Sequence, residues 1–122
     1  MFIIKVGRKF PSIFLVTFVL GLFSCSEGEN FDNLVIRENI IYKKFSHTPY
    51  TGIVTGLAVG QVKKGLKYGK WVFWHENGQL WKKGSYIKNK MEGPWIYYLK
   101  NGKLNYLGTG TYKNNHRISN KF

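Results

Sequence analysis

The chain contains one cysteine, Cys25, in 122 residues. A lone cysteine excludes an intramolecular disulfide framework and any zinc site built on Cys pairs. Acidic residues are nearly as scarce, six Asp and Glu against nineteen Lys and Arg, for a formal charge of +13. Beyond Gly60 only Glu76 and Glu92 remain, sixteen residues apart, and nothing around them marks a general acid–base pair. His47, His75 and His116 have neither i, i+4 nor clustered spacing, so no metal set is expected. Ser85 and Ser119 lack a nucleophile-elbow context, and no glycine-rich phosphate loop precedes a helix. These absences point away from an enzyme and from a cofactor. A membrane-spanning run is missing too. The apolar stretch Ile13–Phe23 has eleven residues, while a bilayer core takes about 20. Extending it back to Phe2 would bury Lys5, Arg8 and Lys9, each at about 2.5–3.5 kcal/mol near a helix centre.

What is present at the N-terminus is a basic start, then the apolar stretch, then Leu22-Phe23-Ser24-Cys25. That order is the layout of a secretory signal peptide. The last four residues resemble the lipobox of bacterial lipoproteins, with Leu22 and Ser24 at its large and small positions. The resemblance implies removal of residues 1–24, lipidation of Cys25, and attachment to a membrane. Residues 25–48 then read as the lipidated cysteine, a flexible polar tether and a first strand around Ile40-Ile41-Tyr42. Within the tether, Ser26, Glu27 and Glu29 resemble the surface-export signal of one class of bacterial lipoproteins. The implied location is the cell envelope, on the outer membrane with a surface-exposed domain.

Loss of Lys5, Arg8 and Lys9 leaves the mature chain at +10. After Gly60, thirteen basic residues face two acids. Such a surface attracts polyanions through salt-sensitive electrostatics. Outside the cytoplasm the polyanion is an anionic lipid headgroup, lipopolysaccharide or an acidic glycan, and nucleic acid is not expected. The simpler alternative is a lysine-rich face that only keeps a β-rich protein soluble.

Residues 49–122 carry an internal repeat. Val62-Lys-Lys-Gly-Leu-Lys-Tyr-Gly69-Lys-Trp71 returns 24 residues later as Tyr86-Ile-Lys-Asn-Lys-Met-Glu-Gly93-Pro-Trp95. Asn77-Gly78 returns as Asn101-Gly102, and Gly84 as Gly108. A third copy begins after a two-residue insertion, with Gly110-Thr-Tyr112 echoing Gly84-Ser-Tyr86. Asn-Gly between apolar runs signals a hairpin with a two-residue turn. Counting outward from the turns places Trp74 opposite Trp81, Phe73 opposite Lys82, Trp71 opposite Gly84, and Trp95 opposite Gly108. Each tryptophan would then cover glycine backbone, as in aromatic rescue. Gly69 and Gly93 are expected to supply the tight links between hairpins. Strand alternation puts Trp71, Phe73, Leu80, Trp95, Tyr97, Leu99, Leu104 and Tyr106 on a core face, and Trp74, Trp81 and Tyr98 on the other.

The pattern Gly-x-Trp, aromatic pair, Asn-Gly, Leu, Gly-x-Tyr resembles the MORN repeat in its bacterial variant, over Pro49 to about Arg117. The resemblance implies an all-β, single-layer meander of successive antiparallel hairpins acting as a binding or scaffolding module. Bacterial members of this kind are often labelled antitoxins. A toxin-neutralising or immunity protein is therefore the alternative, although a cytoplasmic antitoxin fits poorly with a lipobox. The expected function is a non-enzymatic, lipid-anchored envelope protein that binds a protein partner or an anionic envelope component. Candidate binding residues are Lys82, Lys83, Lys100 and Lys103, expected to extend into solvent, with the aromatics Trp74, Trp81 and Tyr98.

Overall fold

Two-residue turns with both positions at positive φ set the architecture, because their twist matches that of the strands they join. The computed structural model describes residues 27–122, so the signal segment 1–24 and Cys25 lie outside the described residues. Four such turns occur among the described residues: Glu38-Asn39, Lys64-Gly65, Lys88-Asn89 and Asn114-Asn115. They close the pairs β2 (Leu34–Arg37) with β3 (Ile40–Lys43), β5 (Ala58–Lys63) with β6 (Leu66–Trp74), β7 (Leu80–Ile87) with β8 (Lys90–Tyr97), and β9 (Gly110–Lys113) with β10 (His116–Ser119). With β1 (Glu29–Asn30) and β4 (Gly52–Thr55), eight strands form one sheet in the order β1-β4-β5-β6-β7-β8-β9-β10, and β2-β3 forms a separate hairpin. The fold is an all-β meander of antiparallel hairpins, with one parallel pairing, Glu29 to Val54, at its N-terminal edge.

Three local expectations are corrected. Gly69 and Gly93 are not links; both lie inside strands, at φ +70° and +80°. The tight links are Lys64-Gly65 and Lys88-Asn89 instead. Asn77-Gly78 is not a two-residue turn either. The His75 N–H donates to the Gln79 carbonyl and the Gly78 N–H to the His75 carbonyl, so Glu76, Asn77 and Gly78 form a three-residue loop with Gly78 at φ +87°. Only glycine takes that last position without strain. Asn77 Oδ1 accepts from the Gln79 N–H, and Asn101-Gly102 repeats the geometry at Leu99–Lys103. The wider loop slips the pairing near the turn: Trp74 faces Leu80, a bulge follows, and Phe73–Lys82 and Trp71–Gly84 keep the expected register. In addition, where a flexible tether is expected, Glu29–Asn30 pairs with β4, Phe31–Asn33 forms a 3-10 turn, and Glu29 bridges to Lys43 at 2.8 Å. Lys43 and Asn33 donate to the Glu29 carboxylate and hold it below the usual carboxylate range.

The tryptophan–glycine pairing is real but is displaced by one strand. The indole of Trp95 lies over Gly84, where a Cβ would sit 2.2 Å from the ring, and Trp71 lies over Gly60 at 2.1 Å. Each indole therefore covers backbone of the preceding strand, at a bulge in the pairing. Trp71 Nε1–H donates to the Gln61 carbonyl and Trp95 Nε1–H to the Ser85 carbonyl, in each case the residue after the covered glycine. Trp95 is paired with Gly110, not Gly108; Gly108 lies under Tyr97. The two-residue insertion falls before Gly108 rather than after it, and extrudes Tyr106 and Leu107, which are 74% and 87% exposed. Tyr106 thus leaves the expected core face, as does the exposed Leu99.

Repeats are fastened to one another at their turns. Asn89 brackets Lys67, its Oδ1 accepting from the Lys67 N–H while its own N–H donates to the Lys67 carbonyl. Asn115 brackets Met91 in the same way. The core cluster is small: Ile41, Val54, Ala58, Val62, Trp71, Tyr86 and Trp95. Ile41 comes from the β2–β3 hairpin, which docks by hydrogen bonds from Ile41 N–H to the Gly65 carbonyl and from Asn89 Nδ2 to the Asn39 carbonyl.

Candidate ligand-binding groove

Alternation brings one ring from each strand position onto a single face, and the rings form a continuous ladder. Phe73 stacks on Trp71 (5.6 Å), Trp71 meets the edge of Tyr86 (6.1 Å), Tyr86 meets Trp95 (4.9 Å), and Trp95 leans on Tyr97 (6.2 Å). Offset and edge-on contacts of this kind contribute about 0.5–1.5 kcal/mol each beyond area burial. The bulge in β7 re-aims Trp81 onto the same face, 6.0 Å from Phe73 and 5.8 Å from His75. Trp81 is therefore part of the ring face, against the expectation of the opposite one.

Between this ladder and the β2–β3 hairpin runs an open groove of about 800 Å³. Its walls include Phe31 and Ile36 on one side and Phe73, Trp74 and Trp81 on the other. Three lysines line it, the exposed Lys100 and the half-buried Lys67 and Lys82. Lys82 Nζ lies 4.5 Å from the Trp81 ring centre, 4.8 Å from Phe73, 5.4 Å from Tyr97 and 5.9 Å from Trp95. Lys67 Nζ lies 4.9 Å above Tyr86. Each contact is within cation–π reach. Burial pushes the Lys67 ammonium below the usual lysine range, and burial together with the charge of Lys67 does the same to Lys82. Among the described residues the only ion pair is Lys43–Glu29, so no carboxylate stands within 4.0 Å of either lysine. The exposed acids Asp32 and Glu76 also line the groove. Burial raises the Tyr86 and Tyr97 hydroxyls to about 12, with smaller contributions from Tyr97 and Tyr112 respectively.

The sequence-predicted binding residues divide. Lys82, Lys100, Trp74 and Trp81 are brought to the groove. Lys82 does not extend into solvent as expected; it is half-buried, because it shares the face of Phe73 and Trp95. Lys83 points away, paired opposite Val72 and Ile96, and Lys103 is exposed at a turn. Tyr98 bridges to Leu104 and does not line the groove; its carbonyl accepts from His75 Nε2–H at 3.0 Å. Sequence reasoning missed Lys67. The signal was there, since its counterpart one repeat later is Met91, an apolar residue packed against the core. No three His, Cys, Asp or Glu come together to hold a metal among the described residues.

No family model, curated protein or solved structure matches the chain.

Proposed function

We propose that the protein is a non-enzymatic, lipid-anchored component of the cell envelope whose hairpin repeats, of MORN type, form a binding module for an anionic envelope component. One observation carries this reading: two half-buried lysines share an aromatic groove and have no carboxylate beside them. The ring faces return part of the cost of removing these cations from water, but no counter-charge stands beside them to return the rest. An anionic ligand supplies the missing partner. The signal layout ending at Cys25 supports an address outside the cytoplasm, and the +10 charge of the mature chain supports an anionic partner there.

Two measurements test the reading. Labelled fatty acid should enter the wild-type protein in its native cells, and Cys25→Ala should abolish the label and leave an unprocessed precursor. A processed, unlipidated protein in the membrane would end the lipoprotein part. The purified full chain in neutral detergent should be retained by a polyanionic matrix at low salt and released as the Debye length shrinks toward about 8 Å at physiological strength. Equal retention on a neutral matrix would end the binding part.

A further inference from the structure

The groove holds a mixture of chemistry that narrows the ligand class. This step rests on the proposed function, since it names the ligand of that same site. Lys67 and Lys82 sit over neighbouring rings, Tyr86 and Trp95, whose centres are 4.9 Å apart. Their positive charges therefore converge on one stretch of the groove floor. Being half-buried, they are out of reach of a flat bilayer surface, which meets only protruding lysines. Beside them Trp81 is 38% exposed, and Phe73 and Trp74 are half-buried. Such rings offer apolar faces to a ligand that is itself flat and carbon-faced on one side. The exposed carboxylates Asp32 and Glu76 and the ring of His75 complete the lining. Carboxylates repel a densely charged polyphosphate, but they accept hydrogen bonds from hydroxyl groups. A ligand that satisfies all three must carry spaced negative charges, hydroxyl donors and apolar ring faces.

We infer that the groove between the β2–β3 hairpin and the ring ladder is a binding site for an acidic oligosaccharide of the uronic-acid class. Lys67 and Lys82 pair with a sugar carboxylate, Trp81 and Phe73 stack on pyranose faces, and Asp32 and Glu76 accept from sugar hydroxyls. The groove's roughly 800 Å³ lies within the range of small-molecule sites.

The test uses the full chain in neutral detergent and follows tryptophan fluorescence and titration heat. The probes are a galacturonic acid trisaccharide, the neutral galactose trisaccharide, inorganic phosphate, and vesicles containing phosphatidylglycerol. The acidic trisaccharide should bind, and the neutral one more weakly by about tenfold or more, the scale of a charge-assisted hydrogen bond. Lys67→Gln and Lys82→Gln should each weaken the acidic sugar about tenfold and so narrow or erase its advantage over the neutral one. Trp81→Ala should weaken both. Lys83→Gln, on the opposite face, should change neither. Should a Gln variant fail to fold, Lys82→Arg, which keeps the charge, and the salt dependence of the wild type decide the matter. Equal binding of acidic and neutral sugars overturns the inference. So does binding confined to phosphate or to the vesicles. Acidic-sugar binding that ignores Lys67 and Lys82 overturns this site while leaving the anionic-ligand reading standing. Failure to bind any anionic probe at low salt ends both.

Discussion

Adding one methyl group at Gly84 tests the idea that the sheet covers its own backbone with indoles. An alanine Cβ there would stand 2.2 Å from Trp95 Cδ2, 2.3 Å from Cε2 and 2.6 Å from Cγ. Ordinary carbon contacts begin near 3.5 Å, so the ring must lift by more than about 1 Å. Trp95 is fully buried, and lifting it exposes the indole and stretches the 3.1 Å bond from Nε1–H to the Ser85 carbonyl. Overpacking costs about 1–3 kcal/mol, the hydrogen bond about 1 kcal/mol, and the Tyr86 edge contact about 0.5–1.5 kcal/mol. A combined loss of about 2.5–5.5 kcal/mol follows, which for a domain of this size lowers the thermal midpoint by at least about 10 °C. Gly78→Ala is the control: its Cβ meets nothing within 4 Å, and only the φ of +87° resists it, at about 1–2 kcal/mol. Urea titration read by far-UV circular dichroism should rank Gly84→Ala well below Gly78→Ala. Trp95→Ala in the same background should remove the penalty of Gly84→Ala, giving strong non-additivity in the double-mutant cycle. Equal midpoints for the two glycine variants, or additive losses in the cycle, would refute the covering geometry.

Asn89→Gly should cost about 1 kcal/mol, because it keeps the φ of +73° but loses the bonds to Lys67 and Asn39; Asn89→Ala adds the conformational penalty and should cost about 2–3 kcal/mol. Matching melting curves for the two would show that conformation contributes nothing at this turn. Arg117 takes the place of an indole at the C-terminal end, its Cδ lying 2.8 Å from where a Gly110 Cβ would be and its Nη1 donating to the carbonyls of Tyr106 and Thr109. Arg117→Ala should therefore cost about 1 kcal/mol in a denaturant titration. Between pH 10 and 12 the sheet should lose stability: unfolded tyrosines shed their protons near 10, while Tyr86 and Tyr97 hold theirs to about 12 in the fold. Lys67 and Lys82 act in the opposite sense, since their folded values lie below the unfolded one, so stability should rise as pH passes their folded values toward 10.5. Denaturation midpoints across pH 8–12 should thus climb and then fall, and a profile that climbs throughout would contradict the burial of the two tyrosines.

The hairpin architecture was legible because both of its signals are local. Period-2 alternation and turn residues act within a few positions, so Phe73–Lys82 and Trp71–Gly84 follow from counting outward. Counting failed where a loop took one residue more than the shortest turn. The same Asn-Gly dipeptide serves a two-residue and a three-residue loop, and the choice depends on the bulge that the neighbouring strands accept. A one-residue change there moved Trp81 to the ring face. Past the insertion the count failed again, and Trp95 met Gly110.

By itself, the sequence determined the class of fold, the repeat, the +13 charge and the absence of metal-type cysteine spacing. Composition and short-range pattern suffice for these. Tertiary structure alone decided which glycine lies beneath which indole, because side chains lean across strands as well as facing their partners. It also decided that residues 29–43 are folded, with their hairpin closing one wall of the groove. Their few apolar residues acquire a role only once Ile41 meets Val54 and Val62 in one core. The partly desolvated state of Lys67 and Lys82 is likewise a tertiary fact. A lysine on a strand is ordinary until rings from three strands and a distant hairpin remove its water.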